Sequence, residues 1–250
     1  MVMAPQKFSI SFFDCDSSAH LRVSRLCEFF QETSLAHLRS QGIDYLSMVK
    51  KDGFTLMISR LKLRMSHLPL WGEEVSITTW LKGFEPEKVG WSDYDVRDSQ
   101  GNSIIQATSS WLLIDLKDGK AKPFAEGPYR FEVSELSALP EKIDLLEPAG
   151  MPRTALVKAV KYSDIDLNNH VNNCRYADWV LDAIDMDELK ERKIRSIQLN
   201  YMQQIEYDAK VALMRFPDSR HHVVIFGVDE AHPEHVHFQA RVGFNKAIEV

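Results

Sequence analysis

Cysteine is scarce in this 250-residue chain, with only Cys15, Cys27 and Cys174. An odd number without metal-ligand spacing gives neither a disulfide framework nor a zinc site, and fits a reducing compartment. Long apolar runs are missing, so no segment is expected to span a bilayer. The opening stretch, MVMAPQKFSI, lacks the charged and apolar regions of a secretory signal. These absences point to a cytoplasmic protein. Basic excess is absent too: 36 acidic residues against 30 Lys and Arg leave a net charge of −6, which excludes a broad face for nucleic acid. No Walker A, GxGxxG, GxSxG or HExxH motif occurs, so nucleotide, serine-hydrolase and zinc-protease chemistry lack support. No metal or organic cofactor is required.

What is present centres on Tyr162–Trp179, YSDIDLNNHVNNCRYADW. Asp164, Asp166, Asn168, Asn169 and His170 precede Val171, Cys174, Ala177, Leu181 and Ile184, which recur as one face of a buried helix. Asn and Asp before such a run are helix-start signals, since their side chains accept from free backbone N–H groups. The expected helix is Val171–Ile184. Backbone N–H groups near His170 and Val171 are then placed to polarise a carbonyl, with the helix dipole adding to the effect.

The same pattern occurs earlier. Asp14, Asp16, Ser18, His20, Leu21 and Arg25 fall on Asp164, Asp166, Asn168, His170, Val171 and Arg175 at a constant offset of 150. Downstream, Leu63-x-Met65 sets onto Leu199-x-Tyr201, and Val75-x-Ile77 onto Val211-x-Leu213. The chain reads as two copies of one small domain. Each copy is a strand, a long helix, then an antiparallel meander. In the first, the helix spans about 22–41 and strands lie at Phe54–Met65, around Val75–Leu81, and at Val89–Arg97 and Ser103–Leu116. In the second, strands lie at Ala155–Tyr162, Ile197–Tyr201, Lys210–Met214, Val223–Val228 and Val236–Phe244, with a polar connection over Asp185–Arg195. Its basic cluster, Lys190, Arg192, Lys193 and Arg195, reads as a solvated face. The stretch 117–153 is punctuated by Pro and Gly and reads as a linker with at most short helices, such as Val133–Leu139. A largely apolar helix needs cover on most sides, and a curved antiparallel sheet provides it. The fold class is therefore α+β, a tandem hotdog, with copies at 1–130 and 154–250 and a linker at 131–153.

Asp164-Ile-Asp166-Leu-Asn168-Asn-His170-Val-Asn172-Asn173, with Tyr176 and Trp179, resembles the most specific motif of the acyl-acyl carrier protein thioesterases of plants and bacteria. Gln31-Glu32, Pro69-x-Trp71-Gly72-Glu73, Thr79-Trp80 and Ala107-Thr108-Ser109-x-Trp111 are similar to that family as well. The resemblance runs from about residue 8 to 244. It implies hydrolysis of fatty acyl-acyl carrier protein to free fatty acid, with catalytic residues in the C-terminal copy and the acyl pocket in the N-terminal one. The partner it implies is an acyl carrier protein, with a homodimer left open. It places catalytic roles on Asp166, Asn168 and His170. The family's fourth residue, a Glu, falls three residues after Tyr201, where this chain has Gln204. Ile205 stands where many members have Cys, which excludes a cysteine nucleophile there. Glu206 lies on the same strand face as Gln204 if the strand continues.

In this reading Asp166 activates water or attacks directly, Asn168 orients it or the carbonyl, His170 carries the proton, and Gln204 positions water. Taken alone, Asp166 and Asn168 read as helix caps and His170 as a satisfied buried histidine. Trp71, Trp80, Met57 and Met65 read as core. His235 and His237 share a strand face near His232 but lack a third ligand in spacing, so an exposed strand end is expected rather than a metal site. An acyl-CoA thioesterase, or a non-catalytic acyl-thioester binder suggested by Gln204, are the alternatives; a hotdog hydratase is weaker.

Overall fold

A computed structural model describes residues 4–85, 88–148, 150–217 and 221–245. The chain divides into two units, Met1–Lys142 and Ile143–Val250. The first contains β1 (Gln6–Ser9), α1 (Val23–Ser40), α2 (Tyr45–Ser47), β2 (Phe54–Met65), β3 (Glu74–Phe84), β4 (Val89–Arg97), β5 (Ser103–Asp115) and the short β6 (Lys120–Lys122). Its strands lie in the order β1-β3-β4-β5-β2, each pair antiparallel, with β6 added beside β5. The second contains β7 (Arg153–Ala159), α3 (Arg175–Asp182), α4 (Met186–Glu191), β8 (Ile194–Tyr201), β9 (Lys210–Arg215), β10 (His222–Asp229) and β11 (Val236–Phe244). Its order is β7-β9-β10-β11-β8, again antiparallel. Matching the strands in chain order makes the two orders identical, so the duplication seen in the residues is a duplication of topology. Each unit is a helix against a curved antiparallel sheet, the hotdog arrangement.

In the first unit α1 buries Leu26, Cys27, Phe29, Phe30 and Thr33. Phe30 stacks on Tyr94 of β4 at 4.5 Å, and Phe29 on Phe8 of β1 at 4.3 Å. Fully burying each such side chain contributes about 1.5–3 kcal/mol. The buried Tyr94 hydroxyl shares a 2.8 Å hydrogen bond with Ser34 and accepts one from Ser109 at 3.3 Å, so no polar cost is left at that point. In the second unit Tyr176 of α3 packs against Tyr201 of β8 and Phe238 of β11, with centroids 5.3 and 4.9 Å away. The Phe238 ring fills the space over its cross-strand partner Gly227, where an added Cβ would sit 2.0 Å from Cε1. Only glycine is accommodated there.

The segment before β7 departs from the expectation of a short helix at Val133–Leu139. It runs extended along the first unit's sheet, with Val133 bridging Leu81 in parallel and Ser134 N–H donating to Leu81 O at 2.8 Å. Side chains of the sheet satisfy the groups a helix would have paired. Trp80 Nε1 donates to Leu136 O at 2.8 Å, Lys82 Nζ donates to Leu139 O at 2.8 Å, and Ala138 N–H donates to Asp93 Oδ2 at 2.6 Å. In the second unit, Gln198 Nε2 and Asn200 Nδ2 donate to Asp144 O at 2.7 and 3.1 Å. Gln239 both accepts from Leu146 N–H and donates to Leu146 O.

Other boundaries moved for local reasons. The polar connection at Asp185–Arg195 contains α4, and β7 ends at Ala159 because Tyr162–Asp164 turns as a 3-10 helix. Trp80 and Met65 are buried as expected, but Trp71 is 60% exposed. It sits in the turn after β2, where its ring meets the exposed Phe12 ring edge-on at 5.8 Å and its backbone N–H donates to Ala19 O at 2.9 Å. No helix among the described residues is long and apolar enough to cross a membrane.

Candidate active site

α3 begins at Arg175, four residues later than the apolar periodicity indicates. The delay has a visible cause. Asp164–Val171 forms a closed loop in which Asp166 N–H donates to His170 O at 3.0 Å and Asn169 N–H to Asp166 O at 3.0 Å. Asp166 Oδ1 accepts from Asn168 N–H at 2.8 Å, an Asx turn that competes with helix. Asn169 takes the left-handed conformation, φ 64°, which Asn tolerates better than most residues. Asp164 braces the loop from below: its carboxylate accepts from Lys161 N–H and its carbonyl from Asn172 N–H, both at 2.8 Å. The N-cap is Cys174, not Asp166 or Asn168, and the side chain that accepts at the entry to the helix is that of Asn172 in the turn before it. Asn172 Oδ1 accepts from Cys174 N–H at 2.8 Å and its carbonyl from Arg175 N–H at 2.9 Å.

This loop brings Asp166, Asn168 and His170 within five residues of one another. Asn168 lies on the surface, while Asp166 and His170 are half-buried. His170 Nδ1 is buried and has no hydrogen-bond partner among the described residues. Behind the loop, burial pushes the Tyr176 phenol far up, and the Asp166 carboxylate adds to the rise, so the two groups share one local field.

Gln204 is not on a strand. β8 ends at Tyr201, and residues 202–209 form a loop, so Glu206 does not share a strand face with Gln204. The loop is fastened at three points. Met202 and Gln203 N–H both donate to His237 O, at 2.9 and 3.1 Å. Val171 N–H donates to Ile205 O at 2.9 Å, and Val160 N–H to Ala209 O at 2.9 Å. The Val171–Ile205 bond holds the residues flanking Gln204 against the loop that carries His170. It also consumes the Val171 N–H, so only the His170 N–H of the expected pair remains for a carbonyl.

The first unit repeats the backbone bonds that close and brace this loop. Asp16 N–H donates to His20 O at 2.8 Å, Arg22 N–H to Asp14 O at 2.9 Å, and Leu21 N–H to Pro69 O at 2.8 Å. Ala19 has φ 61° where Asn169 has 64°, and Gly72 has φ 85° where Asp208 has 66°. Pro69 therefore matches Ile205, which sets Leu68 on Gln204 and Leu70 on Glu206. Side-chain bonds differ: His20 N–H is taken by Asp16 Oδ1 at 3.1 Å, and Arg25 Nε donates to Asp14 Oδ1 at 2.7 Å.

His237 was read from sequence as part of an exposed strand end. His232 and His235 are exposed, but His237 is half-buried with both ring nitrogens inaccessible and unbonded among the described residues. Burial holds its imidazole below the ordinary value, and His235 adds to that; Asp229 opposes it. Its alternation with the buried Phe238 did not show that its carbonyl anchors the Gln204 loop, because a backbone contact leaves no mark in side-chain type. No group of three His, Cys, Asp or Glu side chains suited to a metal occurs among the described residues.

Comparison with known proteins bears on the family and the fold. Residues 2–127 match the acyl-ACP thioesterase N-terminal domain and residues 153–246 the acyl-ACP thioesterase C-terminal domain. A chloroplastic palmitoyl-acyl carrier protein thioesterase from Arabidopsis thaliana is 26% identical over 222 residues, covering 82% of this chain and 52% of its own. A chloroplastic acyl-[acyl-carrier-protein] hydrolase from Cuphea viscosissima is 24% identical over 218 residues, with the same coverage of 82% and 52%. The chain thus spans about half the length of these curated relatives. An acyl-ACP thioesterase structure from Bacteroides thetaiotaomicron superposes with a TM-score of 0.87 at 21% identity, covering 98% of each chain. The 12:0-ACP thioesterase of Umbellularia californica gives 0.79 at 19%, covering 98% and 97%. Those two likenesses establish the tandem hotdog fold. With both domain families matched in order along its length, the chain belongs to the acyl-ACP thioesterase family.

Proposed function

We propose that this protein hydrolyses fatty acyl-acyl carrier protein to free fatty acid and carrier protein in fatty acid biosynthesis, and that the chemistry lies in the C-terminal unit. The observation that carries this reading is the Val171–Ile205 bond, which sets the Gln204 loop against a turn presenting Asp166 and His170. His170 N–H donates to the thioester carbonyl oxygen, where negative charge develops. The Asp166 oxygen that is not committed to the Asn168 N–H takes the proton of a water as it attacks, or attacks the carbonyl itself to form a mixed anhydride that water then cleaves to free acid and restored Asp166. A new C–O bond forms, the C–S bond breaks, and the His170 ring delivers a proton to the departing thiolate. Gln204 accepts and donates but does not take a proton, so its role is to hold water or the imidazole. Asn168 keeps the turn that aims Asp166. Three cysteines without disulfides support a reducing compartment, the cytoplasm in this reading.

Gln204 in place of an ionisable residue also favours a second reading, a non-catalytic binder of acyl thioesters. Release of free acid from acyl-carrier protein, compared with the same acyl group on CoA, separates the readings. Faster release from carrier protein supports the proposal. Tight binding without turnover in the wild type, with turnover appearing in Gln204→Glu, would establish the binder.

A further inference from the structure

Tyr176 is the second residue of α3 and is 4% exposed. Its ring packs on the two strands that carry the Gln204 loop. One centroid distance is 5.3 Å, to Tyr201, where β8 ends and that loop departs. The other is 4.9 Å, to Phe238, which follows the His237 carbonyl that anchors the loop. A buried phenol ordinarily finds a partner. Tyr94 shares its hydroxyl with Ser34 and Ser109, and Tyr201 donates to Asn173 O at 3.2 Å. The Tyr176 hydroxyl has no hydrogen bond among the described residues. Burial and the nearby Asp166 carboxylate both keep its proton in place, so it stands as a neutral donor within the field of Asp166.

The first copy has no such group. At the offset of 150, Tyr176 falls on Leu26 of α1, which is fully buried. At two matched positions, then, a leucine of the first copy stands against a hydrogen-bonding side chain of the second: Leu26 against Tyr176, and Leu68 against Gln204. Filling the core does not require the hydroxyl, because an unbonded buried donor is destabilising beside an apolar group of the same shape.

We propose that the Tyr176 phenol is a further catalytic residue, the second donor to the thioester carbonyl oxygen beside the His170 N–H. This rests on hydrolysis in the C-terminal unit and adds a member to that site. The Val171 N–H, expected from sequence as the second donor, is spent on Ile205 O, so one backbone donor of the pair remains for the developing oxyanion. The phenol supplies the other without giving up its proton. Its ring is held by Tyr201 and Phe238 before substrate arrives, which is the preorganisation such a donor needs.

Tyr176→Phe keeps the ring and removes only the oxygen. Its kcat for acid release from acyl carrier protein is expected to fall at least about tenfold across the whole pH profile, with KM little changed. Its melting temperature is expected to equal or exceed that of wild type, since an unbonded hydroxyl is lost. The proposal is overturned if kcat falls less than about tenfold, or if the melting temperature drops along with it, which would make the hydroxyl structural. It is equally overturned if the plateau is kept and only the acid limb of the profile moves, which assigns the phenol to Asp166 and not to the substrate. His170→Ala, assayed alongside, tests the underlying reading. An active His170→Ala, or a wild type that releases no acid, removes that reading and Tyr176 with it. An inactive His170→Ala beside a fully active Tyr176→Phe removes Tyr176 alone.

Discussion

The two copies share a backbone frame and differ in what hangs on it. Both close a loop with Asp N–H donating to His O, both brace it with a lower Asp, and both tie it to the loop after the next strand. In the first copy the pieces are spent on structure. Asp16 Oδ1 takes both Ser18 N–H and His20 N–H, and Leu68 matches Gln204. Burial alone would raise the Asp14 carboxyl, but bonds from Ser11 and the Arg25 guanidinium 2.7 Å away hold it below its ordinary value. In the second copy, among the described residues, the Asp166 carboxylate accepts from Asn168 N–H at 2.8 Å without also taking the His170 N–H, and Gln204 stands where the first copy has Leu68. The difference teaches that the frame is a helix-entry device first, and under the proposed function it carries chemistry only where a few of its polar groups are left unspent.

The largest expected break in this comparison comes from the second copy. Asp166→Asn or His170→Ala is expected to lower turnover by at least about a hundredfold, the scale of lost acid–base help, with the fold intact by circular dichroism. Next comes the lower brace of the first copy. Asp14→Ala is expected to destabilise the protein by about 2 kcal/mol in urea unfolding, since it strips charge-assisted bonds to Ser11 and Arg25, while the folded fraction keeps its turnover. The sign in pH follows. Asp14 has a depressed folded pKa, so its stabilisation is fully present above the unfolded value near 3.8 and is lost as pH falls through the folded one. An Asp14→Asn variant is expected to lose less stability than wild type across that window.

Gln204→Ala is expected to cut turnover about tenfold, about 1.4 kcal/mol, with KM little changed, the mark of a group acting mainly in the transition state. His237 sharpens the same point more gently. Its imidazole titrates below the ordinary value, so its neutral form favours the folded state above pH 6.5 and that advantage is lost as pH falls through the folded value. His237→Gln is expected to flatten the decline of melting temperature below pH 6.5. The smallest effect concerns delivery. Turnover on acyl carrier protein is expected to fall with ionic strength more than turnover on a small thioester, because salt screens exposed charge contacts.

Much of this was legible in the residues. The duplication and the pairing of Leu68 with Gln204 followed from offsets of 150 and 136, because side-chain identity tracks a repeated frame; the strand orders did not, because the residues mark strands without saying which ones pair. The alternation of Val75, Ile77, Thr79 and Leu81 marked β3 because one face of that strand is buried. What escaped was set by backbone partners. The helix at Val171 started late because Asx turns compete with helical bonds. The segment at Val133–Leu139 ran extended because Trp80, Lys82 and Asp93, more than 40 residues away in sequence, claim its peptide groups. Trp71 was read as core from its size alone. Gln204 was read onto a strand because the stretch after Tyr201 keeps polar and apolar residues mixed, with no glycine or proline to mark the end.

The most direct test of the central claim is a paired measurement. His20→Ala and His170→Ala are purified, their melting temperatures recorded, and initial rates of acid release measured on acyl carrier protein substrate. The account predicts that His20→Ala keeps turnover within about threefold of wild type, with any loss appearing in stability, whereas His170→Ala loses at least about a hundredfold while melting normally. A folded His20→Ala without turnover, beside an active His170→Ala, would contradict the account and place the chemistry in the first copy.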